Sequence, residues 1–246
     1  MTGPVSDHYE RLLGPVYSWM VGDVDAATAR AEAELDAIGL PSNATGTAVD
    51  LGAGFGLHSL PLARRGYKVI AIDTCEPLLQ ELRSRAGAFT IRTVNANLLD
   101  LRAYVARPAE LILCMGDTLT HLPDAASLDA LFSRVAATLC PGGLFVATFR
   151  DYVSTPLQAE ARFILVRSDA NRILTCFLEY SDTTVQVHDV LHERVAENWQ
   201  MRLSSYAKLR LAPEQVMKAL ASHGFSVQRE AGLGGMVRVL ARLTGR

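Results

Sequence analysis

Apolar residues fall along this chain in short runs, separated by stretches where they recur at helical spacing, and that alternation predicts a sheet covered by helices. Ala48, Val49 and Leu51 form the first run, which stops at Gly52-Ala53-Gly54-Phe55-Gly56. A helix-like segment of about ten residues then leads to a second run, Val69 to Ile72, ending in Asp73. Ile91–Val94, Leu111–Met115 and Leu144–Phe149 read as further strands, and Phe225–Arg229 and Met236–Leu243 as a closing pair joined by the loop Gly232–Gly235. Between them the pattern predicts helices over Ala26–Ile38, stopped by Gly39 and Pro41, over Ser127–Leu139, and from Pro213 to Gly224. Thr74 is placed to cap another through about Arg85, with Pro77 tolerated in its first turn.

The period changes between Arg162 and Arg210. Phe163–Arg167, Ile173–Tyr180, Thr184–Val195 and Trp199–Arg210 are punctuated at Ser168–Asn171 and Ser181-Asp182, and read as an antiparallel meander inserted into the parallel pattern. His188 and His192 lie in the third segment, where Val185, Val187 and Leu191 alternate with Gln186, His188 and His192. In a strand the two imidazoles stand roughly 13 Å apart, too far for one metal ion, so they read as a polar face and no metal site is expected. The expected fold is α/β: a doubly wound, mostly parallel seven-stranded Rossmann-like sheet carrying this meander, with residues 1–246 as a single domain.

Composition narrows the function. Lys plus Arg number 24 against 26 acidic residues, a formal charge of −2, so no general attraction to nucleic acid is implied. Cys75, Cys114, Cys140 and Cys176 are scattered without a C-x-x-C pair, as free thiols in a reducing compartment are. There is no basic leader with an apolar stretch and no long apolar run, so a cytoplasmic location with no membrane partner is expected.

Chemistry concentrates in Thr47–Asp73. Glycines are needed where the backbone turns sharply out of a buried strand and lets a ligand approach its N–H groups. A carboxylate ending the second strand is the usual acceptor for ribose hydroxyls. The dinucleotide fingerprint G-x-G-x-x-G is not met, because the third glycine comes one residue early and position 57 is Leu. Residues 1–24 hold His8, Tyr9, Tyr17 and Trp19 around a Gly14-Pro15 break, and read equally as a lid over a cofactor or an apolar strap on the outer helices. Asn97 by itself reads as a strand-end turn residue.

The G-x-G-x-G loop resembles motif I of the class I S-adenosylmethionine (SAM) dependent methyltransferases. Beyond it, Gly22-Asp23, Ala96-Asn97, Gly116-Asp117-Thr118 with His121-Leu122-Pro123-Asp124, Arg150 with Tyr152, and Arg202-Leu203-Ser204 before Tyr206 resemble the glycine and sarcosine N-methyltransferases. The resemblance implies SAM as cofactor and S-adenosylhomocysteine as product. It implies cofactor contacts from Tyr9, Tyr17, Gly52, Ala53, Gly54, Asp73, Thr74, Asn97, Leu98, Met115, Thr118 and His121. His121 and Tyr206 are the implied catalytic residues, with Asp117, Arg150 and Tyr152 against the acceptor. Asp117 departs from the asparagine that the branch places there.

Methyl transfer from a sulfonium is an in-line displacement that discharges the sulfur, so alignment and desolvation can supply most of the catalysis. The expected activity is methylation of a small molecule, with N-methylation of a small amino-bearing acid ahead of O-methylation. A SAM-binding regulator without catalysis is the alternative of another class, and homo-oligomerisation stays open.

Overall fold

The computed structural model describes residues 4–245. Its main sheet contains β1 (Thr47–Leu51), β2 (Lys68–Asp73), β3 (Ile91–Asn95), β4 (Ala109–Cys114), β5 (Leu139–Phe149), β10 (Phe225–Ala231) and β11 (Val237–Leu243). They lie in the order β10-β11-β5-β4-β1-β2-β3. Pairing is parallel from β3 through β5, and β11 runs antiparallel to both of its neighbours. Successive residues of the central strands feed opposite faces, which is why their sequence reads as continuous apolar runs. Val49, Leu51, Ile112, Phe145 and Phe149 pack with Leu131, Phe132, Val216 and Leu220 on one face. Ala48, Ala71, Leu111 and Val146 pack with Leu35, Leu62, Leu79 and Leu82 on the other. Each such large side chain contributes about 1.5–3 kcal/mol on burial.

Three local expectations are corrected. The helix after the glycine loop is only Ser59–Arg64, because Gly54–His58 is spent on turns. Thr74 is exposed and caps nothing: the helix Glu76–Ala86 begins at Cys75, whose backbone N–H is taken by the Asp73 carboxylate. The strand expected from Leu144 starts at Leu139, with Cys140–Gly143 inside it as an irregularity where the pairing steps from Ala109↔Leu139 to Leu111↔Leu144.

The inserted segment forms its own antiparallel sheet of β6 (Phe163–Ser168), β7 (Arg172–Tyr180), β8 (Thr184–Val195) and β9 (Asn198–Leu209). In β8 Val185, Val187, Asp189 and Leu191 are buried and the residues between them are not, so His188 and His192 share the outer face. Among the described residues no cluster of His, Cys, Asp and Glu is arranged to hold a metal ion.

The N-terminal arm crosses between the two sheets in four short helical turns, Pro4–His8, Tyr9–Leu13, Gly14–Val16 and Tyr17–Val21. Leu12, Leu13 and Val16 pack on Leu174 and Leu191 of the meander. Tyr9 and Tyr17 pack against Phe55, Cys75 and Leu78 around the glycine loop. Polar anchors hold both ends: Trp19 Nε1 donates to Asp169 at 2.5 Å, Ser18 to Glu81 at 2.5 Å, and His8 Nε2 pairs with Asp189 at 3.0 Å. The His8–Asp189 pair is almost wholly buried, so removing one partner leaves a charge or dipole without water. His8→Ala should therefore cost about 2–3 kcal/mol in urea denaturation. An unchanged midpoint would show that the arm contributes nothing to the fold.

Candidate active site

β1, β4 and β5 end side by side, and their carboxyl ends carry the residues singled out by sequence. Gly52 takes φ +73° and faces Thr118, whose side chain would lie 2.5 Å from a Cβ there. Only glycine fits that turn. Gly54, also at positive φ, is different: a Cβ would meet nothing closer than Leu78 at 3.9 Å, so the backbone there faces open space. Its N–H donates to Asp73 Oδ2 at 2.8 Å, while Asp73 Oδ1 accepts from Cys75 N–H at 2.8 Å. Burial raises the Asp73 pKa, and backbone N–H groups of Cys75, Gly54 and Thr74 pull against it. A carboxylate oxygen holds two lone pairs, so each keeps one for a further donor.

Asn97 and Leu98 stand beside Asp73, where β2 and β3 end. Asn97 is exposed and its side chain accepts from Leu99 N–H at 2.9 Å, capping the turn Leu98–Asp100. Ala53 and Met115 are buried, and Thr118 donates to the Met115 carbonyl at 2.8 Å.

Asp117 is the centre of the polar network. It is a non-glycine residue at φ +76°, held there by its own N–H on Thr148 O (3.0 Å) and by Thr120, which donates back to its carbonyl. Its Oδ1 accepts Arg150 N–H at 2.8 Å, and its Oδ2 accepts Lys208 Nζ at 2.7 Å and Tyr152 Oη at 3.2 Å. Both charged side chains are nearly sealed, at 6% exposure for Asp117 and 12% for Lys208. Burial, the largest influence, would raise the Asp117 pKa, but the Lys208 ammonium and its hydrogen bond together with the Arg150 N–H outweigh it and the net direction is down. Burial would equally lower Lys208, and Asp117 with Tyr152 and Tyr9 reverses it. A depressed carboxylate stabilises above its ordinary pKa and a raised ammonium below its own, so the pair is fully ionised across the neutral range.

His121 ends the short turn Thr118–His121 and lies among aromatic rings, 5.5 Å from Tyr9 and 5.5 Å from Tyr206. Although the residue keeps some surface, its Nε2 is sealed from solvent and has no partner among the described residues. Burial first, and Lys208 second, lower its pKa to about 3, so the ring is uncharged at neutral pH. Tyr206 is buried, 4.3 Å from the His8 ring, and burial raises its pKa as it does that of Tyr9. Tyr17 sits over Phe55 at 5.8 Å. Arg150 differs from these: it is exposed, and its guanidinium reaches the Gly234 carbonyl at 3.4 Å.

Two functional-looking residues escaped the sequence reading. Lys208 is in phase with Tyr206 on β9, and Asp189 is in phase with Val185, Val187 and Leu191 on β8; a charge repeated on the apolar phase of a strand was the available signal.

Residues 48–143 match the methyltransferase domain family. Over this segment and in its fold the chain is similar to the class I SAM-dependent methyltransferases. It is 25% identical to glycine N-methyltransferase of Rattus norvegicus over 176 residues, which cover 65% of this chain and 60% of that one. The chain thus spans less than two thirds of that relative's length. In fold it matches the CcbJ methyltransferase of Streptomyces caelestis with a TM-score of 0.79 at 20% identity, covering 96% of this chain and 98% of that one. The sugar N-methyltransferase KedS8 of Streptoalloteichus sp. ATCC 53650 matches with a TM-score of 0.76 at 13% identity, over 96% and 94% of the two chains. The seven-stranded sheet, its antiparallel last strand and the separate meander are therefore a shared architecture. SAM is the cofactor of that class, and the open backbone at Gly54 beside the spare lone pairs of Asp73 fits it.

Removing the Asp117 charge should strand the Lys208 ammonium in the interior. Asp117→Asn, which tolerates the same backbone conformation, should cost about 3 kcal/mol or more, and Lys208→Met added to it should recover most of the loss. Additive losses in a denaturation double-mutant cycle would show that the two side chains are not coupled.

Proposed function

We propose that this chain transfers the methyl group of SAM to the amine of a small molecule, a small amino-bearing acid being the acceptor its residues suit best. The observation that carries the reading is the Nε2 of His121, without a partner among the described residues and sealed among Tyr206 and Tyr9, the latter packed in turn on Phe55 and Cys75 around the glycine loop. A buried polar atom with no partner in the protein is an opening for a ligand group.

When bound, SAM supplies an electrophilic methyl group on a sulfonium. Asp73 and the Gly54 backbone hold the nucleoside end, and Tyr9 and Tyr17 lie over the loop from the arm. Held uncharged with a pKa of about 3, His121 is too weak a base to take a proton from a hydroxyl or an ammonium at neutral pH. The acceptor therefore arrives as a neutral amine, and His121 Nε2 orients it through one hydrogen bond. This favours N- over O-methylation. Asp117 acts through others, fixing Tyr152 and Lys208 and the backbone of Arg150. Catalysis then rests on alignment and on the exclusion of water.

The Arg150 guanidinium has one long contact and stands at the end of β5, which leaves its fork free for a carboxylate. The similarity to glycine N-methyltransferase supports the same choice. A second reading, an aminosugar acceptor, draws on the cancelling charges of Asp117 and Lys208 and on the fold shared with KedS8.

Asp73→Ala should weaken SAM binding at least tenfold by calorimetry, since hydrogen bonds to a charged acceptor contribute roughly 1.5–3 kcal/mol each. Unchanged affinity in a folded variant would remove Asp73 from the cofactor site. Arg150→Lys keeps the charge and loses the fork, so kcat/KM for an amino acid acceptor should fall about tenfold while SAM affinity stays within about twofold. Full activity of the variant on an acid would remove Arg150 as the clamp, and turnover confined to a neutral aminosugar would decide for the second reading.

A further inference from the structure

The outer face of the meander is apolar where an isolated antiparallel sheet is expected to be polar. Strand register assembles it row by row. Phe163, Phe177, His188 and Ser205 stand side by side, then Leu165, Thr175, Val190 and Leu203, then Ile173, His192 and Met201, with Trp199 beside Arg194 at the far end. Phe163 and Phe177 stack at 4.4 Å and Phe177 and His188 at 5.8 Å, so the first row is a continuous ring surface. Its large side chains face solvent: Phe163 is 68% exposed, Leu165 62%, Met201 64%, Leu203 60% and Trp199 49%. The opposite face of the same sheet is covered by the arm and by Tyr152.

We propose that this face is the contact surface of a homodimer, in which two meanders pack sheet on sheet about a two-fold axis. The five exposed side chains and their half-buried neighbours offer on the order of 700 Å² of apolar surface. That exceeds the largest patch of an ordinary monomer, about 300–600 Å², and approaches the roughly 800 Å² per partner of a stable interface. Two four-stranded sheets whose inner faces alternate in this way pack about 10 Å apart, as in a β-sandwich.

Charge selects the occupant. Ionic side chains are confined to the two ends of the face, and each end carries both signs: Arg162 over the Phe177 ring near Glu179, and Arg194 paired with Glu197 at 3.2 Å. A self-complementary contact needs both signs at its rim, whereas acidic groups at both ends oppose an anionic lipid surface. The polar pair in the ring row is already satisfied, His188 Nδ1 lying 2.8 Å from Ser205 Oγ. It can be covered without stranding a polar group.

Sedimentation velocity of the purified chain at tens of micromolar should give a dimer. Leu165→Glu combined with Met201→Glu should give a monomer with an unchanged far-ultraviolet spectrum, while Phe89→Glu, on the main domain, should leave the dimer intact. Hydrogen exchange of the wild-type chain, compared at high and low concentration, requires no substitution and should protect β6 and β9 selectively. A wild-type monomer, a folded double variant that still dimerises, or a dimer with β6 and β9 unprotected would overturn the proposal. So would a monomer that floats with phosphatidylserine vesicles, which would assign the face to a membrane instead.

Discussion

The buried ion pair between Asp117 and Lys208 ties together parts of the chain that nothing in local sequence brings near each other. Asp117 follows β4, its carboxylate holds the first residue after β5, and Lys208 arrives from the last strand of the inserted sheet. A pair buried this deeply gains little net stability, because desolvation offsets most of the attraction. What it does supply is register: a lysine charge placed one strand position away would face out of the site and leave the carboxylate unneutralised. Burial first, under Tyr206 of the same sheet and Tyr9 of the arm, and this ammonium second suppress the charge of His121. The protonation state of the site is therefore set by how the meander docks.

The arm enforces that docking from the other side. It bonds to the meander through His8 and Trp19, and to the glycine loop's surroundings through Ser18 and Tyr17. The residues of this segment that brace the meander are neighbours of those packed around the glycine loop, and Tyr9 and Tyr17 belong to both sets. Five-residue helical turns have little stability of their own, so the arm stays closed through these contacts.

The main sheet was legible in sequence because its central strands β1, β4 and β5 are buried on both faces and written as near-continuous apolar runs. The meander was legible through a change of period. Asp73 and the Gly52–Gly56 loop were legible because a sharp turn between two strands admits few residue types. The polar interior was not. Lys208 and Asp189 are ordinary residues until pairing in three dimensions gives each a buried partner, and Thr74 lost its capping place to the carboxylate before it. Local rules left two adjacent side chains, Asp73 and Thr74, competing for one backbone donor, and they do not see a partner that arrives from the other sheet or the arm.

The left-handed backbone at position 117 reaches further than the site. Glycine, asparagine and aspartate are the residues that occupy such a conformation readily, and of the three only aspartate brings a charge. Once it is there, a cation at 208 is required, and once a lysine is at 208, neither neutral alternative at 117 is tolerated. Positions 117 and 208, ninety-odd residues apart in the chain, are thus coupled, and a change at either one leaves the other's charge buried without its partner.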